Sequence, residues 1–192
     1  MATNPQINIF GRNFHAYPVH SRVWLGFVLG LLPLFGFAQS GRATAEGSLK
    51  VILFLDTECP VTQSYMHEIR SLLGDFNDRP VSFEAVFPSY TVSTKEITAF
   101  FEKYNVKMTG QPDPDLRLTQ RYQANTMPEA ILLNASGIIL YQGAIDNWYY
   151  ALGKNRPKAT AAYLRNAIQA SLEGNPILIR KTEAIGCLIN KN

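Results

Sequence analysis

The period of the apolar positions changes along the chain in a regular way. Leu49-Lys-Val-Ile-Leu-Phe-Leu55 is an almost unbroken apolar run, the pattern of a strand covered on both faces. After a polar step at Asp56-Thr57-Glu58 and then Cys59-Pro60, the residues Val61, Tyr65, Ile69, Leu72 and Leu73 recur at helical spacing, and Gly74 supplies a stop. Val81–Phe87 reads as a second strand ended by Pro88. Ser93-Thr-Lys-Glu96 is a capping box opening a helix with Ile97, Phe100, Phe101 and Tyr104 on one face. Gln111–Asp115 is a turn-rich loop, and Leu116–Tyr122 a short helix. Ala130–Leu133 and Ile138–Gln142 flank the turn Asn134-Ala-Ser-Gly137 and predict a hairpin. A long loop, 143–158, follows. Thr160 is placed to cap a helix that runs to Leu172 and ends at Gly174-Asn175-Pro176. Ile177–Asn192 shows no clear period. The order β-α-β-α-(α)-β-β-α describes an α/β domain in which a parallel crossover is closed by a hairpin.

Residues 1–22 are polar, and 23–37 are almost wholly apolar, ending at Gly36-Phe37-Ala38. A basic flank, an apolar core and small residues in this spacing predict a secretory signal peptide cleaved after Ala38. The alternative is an uncleaved membrane anchor through 23–37, a segment short of the roughly 20 residues that a spanning helix needs. The expected organisation is therefore a leader or anchor at 1–38, a domain at 39–175 and a tail at 176–192, with the domain outside the cytoplasm (periplasmic or secreted). The formal net charge of the 192 residues is +3. Residues 1–38 hold Arg12, Arg22 and no acid, which leaves 16 basic against 15 acidic residues in the remainder. That balance gives no footprint for nucleic acid or an anionic surface.

Candidate chemistry centres on Cys59, one of two cysteines. It stands where a strand hands over to a helix opened by Pro60, a favoured residue at the first helical position. The positive end of a helix dipole favours a thiolate there, while Asp56 and Glu58 nearby oppose it. Cys187 lies in the tail. About 15 residues beyond the last helix can span about 45 Å if extended, enough to reach back to Cys59. Cys187 is open to three readings: a resolving thiol for Cys59, half of a static bridge, or a spare thiol. Two cysteines cannot make a disulfide scaffold or a four-thiolate metal site. His67, eight residues after Cys59, is not placed as a neighbouring ligand. No cofactor or metal is expected. Asp146 and Arg156 are candidates to pair and so tie down the long loop, or to face the site, and Tyr141, Trp148, Tyr149 and Tyr150 form an aromatic group expected to pack.

Three features resemble the thioredoxin superfamily, and more narrowly its redoxin branch of the alkyl hydroperoxide reductase/thiol-specific antioxidant type. They are the strand-to-helix junction Cys59-Pro60-Val61-Thr62, the segment Thr126-Met127-Pro128-Glu129 before the hairpin, and Gly143-Ala-Ile-Asp146-Asn147 followed by the 163–167 helix. The likeness spans roughly 47–175. It implies a three-layer α/β fold with a central sheet of about four to five strands flanked by helices. It also implies a cis Pro128 facing Cys59, with Pro60, Met127 and Pro128 shaping the substrate groove. Where the family carries a second cysteine this chain has Thr62, which cannot resolve a mixed disulfide but can donate its hydroxyl to the Cys59 thiolate. The peroxidase loop is incomplete too, since Asp56 stands where that branch has a threonine.

The expected function is an extracytoplasmic thiol oxidoreductase, exchanging disulfides with proteins or reducing peroxides, with Cys59, Thr62 and Cys187 as the catalytic set. The rival is a redox-inactive binding or structural subunit of a cell-envelope membrane assembly.

Overall fold

The computed structural model describes residues 47–191. The leader or anchor expected at 1–38, its apolar stretch 23–37 and most of the lead-in lie outside the described residues. The continuous apolar run forms β1 (Leu49–Phe54). It feeds α1 (Pro60–Asp75), after which come β2 (Val81–Phe87) and α2 (Thr94–Lys103). The capping box is present with both of its reciprocal bonds: Ser93 N–H donates to Glu96 Oε2 at 2.8 Å, and Glu96 N–H donates to Ser93 Oγ at 3.3 Å. The Ser93 N–H first, and then the Ser93 hydroxyl donating to Oε2 at 2.7 Å, hold the Glu96 carboxyl below its usual range.

β3 (Thr109–Pro112), α3 (Arg117–Tyr122), β4 (Thr126–Met127), β5 (Glu129–Leu133) and β6 (Ile139–Gly143) complete the centre. The sheet order is β3-β2-β1-β5-β6. β1 pairs in parallel with β2 and antiparallel with β5, so it lies in the middle of five strands. The second half of β3, Gln111 and Pro112, falls in the segment Gln111–Asp115 that reads as a turn-rich loop in sequence. It is a strand because it needs only one partner, β2, and a sheet edge tolerates Pro112.

β1 is covered on both faces, as its composition requires. Leu49, Val51, Leu53 and Leu55 share one core with the inner faces of α1, α2 and α4 (Tyr163–Leu172). Ile52 and Phe54 share a second core with Val86, Ile131 and Leu133, and among the described residues this side is covered by the short α3, the loop around Ala124, Met127 of β4 and Ile189 of the tail. Lys50, the one charged residue of the strand, is half-exposed and pairs with Glu84 at 2.5 Å.

Two local expectations fail. The loop after β6 contains a small hairpin, β7 (Tyr149–Ala151) with β8 (Lys154–Asn155). Thr160 does not cap α4. Its hydroxyl and its N–H are both bonded to the Asn147 side chain, at 2.9 and 2.8 Å, and Ala162 takes the cap position without a side-chain bond. The tail has no sequence period because it follows two partners in turn. At Arg180 and Thr182 it bonds to both sides of Gln142 on β6, with Gln142 N–H donating to Arg180 O at 3.0 Å and Thr182 N–H to Gln142 O at 3.1 Å. It then crosses to pair with β4 as β9 (Cys187–Leu188). Among the described residues no helix is long and apolar enough to cross a membrane.

Ile189 is buried at 6% exposure, while its neighbour Leu188 is 80% exposed. Truncating Ile189 to Ala should lower unfolding stability by about 2 kcal/mol, measured by urea denaturation of the oxidised protein. Leu188→Ala should change it by less than about 0.5 kcal/mol. Equal effects would mean that the tail is not a working part of the second core.

Candidate functional site: a disulfide at the first turn of α1

Cys59 is the N-cap residue of α1, with φ −69° and ψ 118°, and Pro60 follows at the opening of the helix. Gln63 N–H donates to Cys59 O at 2.9 Å, closing the first turn. Cys59 Sγ is buried and lies 3.4 Å from Met127 O. It is bonded to Cys187, 128 residues along the chain, with the two Cα atoms 6.1 Å apart, an ordinary separation for a bridge. Of the readings open for Cys187, the spare thiol is excluded.

The Met127–Pro128 bond is cis, as the resemblance implies. Both residues are buried, and β4 runs antiparallel to β9 with Met127 opposite Cys187 and Thr126 opposite Leu188. Ile189 N–H donates to Asn125 O at 2.9 Å, extending the same register. The edge that the resemblance assigns to a substrate is thus filled by the chain's own tail. Gly186 makes this approach possible. A Cβ there would collide with the carbonyl oxygen of Met127 and crowd Pro128 Cδ.

Thr62 is fully buried, and its hydroxyl has no hydrogen-bond partner. It sits at the third helical position, from which a side chain reaches back toward the N-cap residue. The Cys59 sulfur of the oxidised protein carries no charge to accept that hydrogen. Pro60 is exposed on the rim. Asp56 Oδ1 accepts from Glu58 N–H at 3.0 Å, so this carboxylate shapes the loop before Cys59. A groove of about 490 Å³ opens beside it, with Thr57, Glu58, Pro88, Tyr90, Met127 and Leu188 on its walls.

Glu129 was missed as a site residue. It is buried, and its Oε2 accepts from the N–H groups of Asn125 and Thr126 at 2.9 and 3.3 Å while Oε1 accepts from Gln142 Nε2 at 2.7 Å. It fixes the backbone that carries β4. A charged residue heading the apolar run Ala130–Leu133 was the available signal.

Asp146 and Arg156 hold the long loop, though not by pairing with each other. Asp146 Oδ1 accepts from Tyr65 OH on α1 at 2.6 Å and from Trp148 N–H at 2.8 Å. Arg156 Nη1 donates to Asn147 O at 2.5 Å, and its guanidinium lies over the Tyr150 ring. Tyr141, Trp148 and Tyr149 pack as expected, with Tyr65 meeting Trp148 edge-on at 5.6 Å, whereas Tyr150 is 54% exposed. Burial pushes the Asp146 carboxyl up and, with the Asp146 bond next, pushes the Tyr65 phenol well up. In the same core, burial lifts the Tyr141 phenol to about 12. His67 is exposed, and among the described residues no three His, Cys, Asp or Glu side chains converge as a metal site.

A strand delivering a cysteine to a helix N-terminus opposite a cis proline, within a five-stranded sheet, makes this a thioredoxin-like fold. Solved structures share it. An uncharacterized conserved protein from Geobacillus kaustophilus matches with TM-score 0.69 at 23% identity, over 78% of this chain and 80% of its own. A hypothetical protein from Sinorhizobium meliloti 1021 matches with TM-score 0.66 at 20% identity, over 76% and 81%. A putative thiol:disulfide interchange protein DsbE from Chlorobium tepidum matches with TM-score 0.52 at 19% identity, over 67% and 82%. At these identities the likeness is one of fold. No family model matches the chain, and no curated protein matches it.

The raised Asp146 carboxyl has a pH consequence. The folded state holds this proton to higher pH than the unfolded chain does, so stability falls as pH rises from the ordinary carboxylate value near about 4 toward the raised folded one. Asp146→Asn keeps the acceptor for Tyr65 and Trp148 and removes the titration. The stability of the variant relative to the native protein should therefore increase across that window and level off above it, followed by urea unfolding at a series of pH values. A flat difference would exclude Asp146 as the titrating group.

Proposed function

We propose that the chain is an extracytoplasmic thiol–disulfide oxidoreductase whose redox couple is Cys59–Cys187, with protein thiols and disulfides as its substrates. The observation that carries this reading is the tail cysteine joined to the N-cap cysteine of α1 beside Pro128. In a paired-cysteine site the resolving thiol lies one turn along the helix. Here Thr62 fills that place, and the resolving thiol comes from β9, opposite Met127. Two cysteines pairing in one chain also suit a compartment where disulfides persist.

Each residue has a role in this reading. Cys59 is the attacking thiol. On reduction its thiolate gains the α1 dipole and the Thr62 hydroxyl, a bond to a charged acceptor worth about 1.5–3 kcal/mol. Met127 O, 3.4 Å from the oxidised sulfur, opposes this by accepting weakly from the neutral thiol once the bridge is reduced. A thiol is a weak donor, so the charged form gains more. Pro60 opens the helix, Pro128 and Met127 form the opposite wall, and Cys187 resolves.

Thr62→Val tests the reading in both redox states. In the oxidised protein it removes a buried hydroxyl that has no partner, so stability should rise by about 1–2 kcal/mol. In a Cys187→Ser background it should raise the Cys59 thiol pKa by about one unit, since each unit corresponds to about 1.4 kcal/mol, read from the pH dependence of the alkylation rate. Without the substitution at Thr62, that background should show a Cys59 pKa below the free-cysteine value of about 8.5. An ordinary or raised value that Thr62→Val does not move would favour an inert bridge, and with it a binding or structural role.

A further inference from the structure

This inference rests on the thiol-exchange reading. We propose that the β4 edge, which the resemblance already assigns to substrate, selects partner cysteines in the pattern Gly-Cys-x-apolar, and that the tail is an internal copy of that pattern.

The seated tail defines the pattern position by position. The cysteine stands opposite Met127 and reaches Cys59. The residue before it must lack a Cβ, because one there would overlap the Met127 carbonyl and press on Pro128 Cδ. The residue after it is unconstrained, since Leu188 is 80% exposed. The residue two after it enters an apolar site, where Ile189 is buried with Ala124, Met127 and Ile131 while its N–H donates to Asn125 O. Extended backbone at sheet register supplies the affinity of such edges, and alternate side chains supply the selectivity. Glu129 holds Asn125 and Thr126 in place from behind, so the edge is preformed.

Strand exchange and thiol exchange are then one event. In the reductive direction the Cys59 thiolate attacks the docked partner cysteine, forming a mixed disulfide and releasing the partner's second sulfur as a thiolate, which takes a proton. The Cys187 thiolate then attacks Cys59 Sγ, forming the Cys59–Cys187 bond and releasing the docked sulfur as a second thiolate. The tail's return to β4 evicts the segment. Two electrons and two protons pass from the protein dithiol to the partner disulfide.

The full chain carrying Cys187→Ser, with Cys59 as its one thiol, tests this against three peptide disulfides. One copies residues 184–190, and the others carry Gly186→Ala or Ile189→Ser in that copy; oxidised glutathione is the reference. The rate of mixed-disulfide formation should be about tenfold higher for the native copy than for either altered peptide. A spread below threefold among the peptides, with glutathione disulfide reacting, overturns the docking pattern and leaves the thiol-exchange reading standing. Failure of all four to react overturns both.

Discussion

Strand β1 has to be buried on both of its faces, and the rest of the molecule is arranged to do so. Six of its seven apolar-run positions, Lys50 excepted, offer nothing to solvent. Three helices cover one face with ease. Among the described residues the other face is covered by a six-residue helix, a loop and Met127 of β4, less cover than three helices give. The C-terminal tail makes up part of the difference by lending Ile189. The segment that closes the second core is therefore also the one that carries Cys187, and this links stability to redox chemistry. Asp113 supports that side as well: its buried carboxylate accepts from the N–H groups of Leu118 and Thr119 and from the Thr119 hydroxyl, fixing α3 under the sheet.

On the proposed function, a resolving cysteine placed on a strand instead of one helical turn away changes what resolution involves. A thiol in the same helix is always within reach. A thiol on β9 must bring backbone with it, so closing the bridge also closes the β4 edge. The buried Thr62 hydroxyl fits a site that spends part of its cycle with a charged sulfur at position 59. It has no partner in the oxidised protein, and a side chain chosen for packing alone would not carry it.

Much of this was legible from sequence. The unbroken run before Cys59 predicts a doubly covered strand, and the Pro60 opening and the Ser93–Glu96 box mark helix starts whose signals are local. Thr126-Met-Pro-Glu129 marks the wall opposite Cys59. The tail was not legible, because its order comes from partners distant in sequence: Gln142 at one end and Asn125 to Met127 at the other. Its pairing leaves no period in its own residues. Glu129 was passed over because a lone carboxylate at a strand start reads as solvated until the amides it binds are known. Thr160 looked like a cap because the competing bonds to Asn147 come from a loop without local pattern. Asp146 and Arg156 were rightly assigned to holding the loop, but with the wrong partners.

The central claim is that Cys59–Cys187 is a working redox couple and not a static tie. The midpoint potential of that bridge, titrated in defined thiol–disulfide buffers and read by alkylation, tests it most directly. A working couple should give a value within the span of exchange catalysts, about −270 to −120 mV. A value below about −300 mV, where structural disulfides lie, would contradict it.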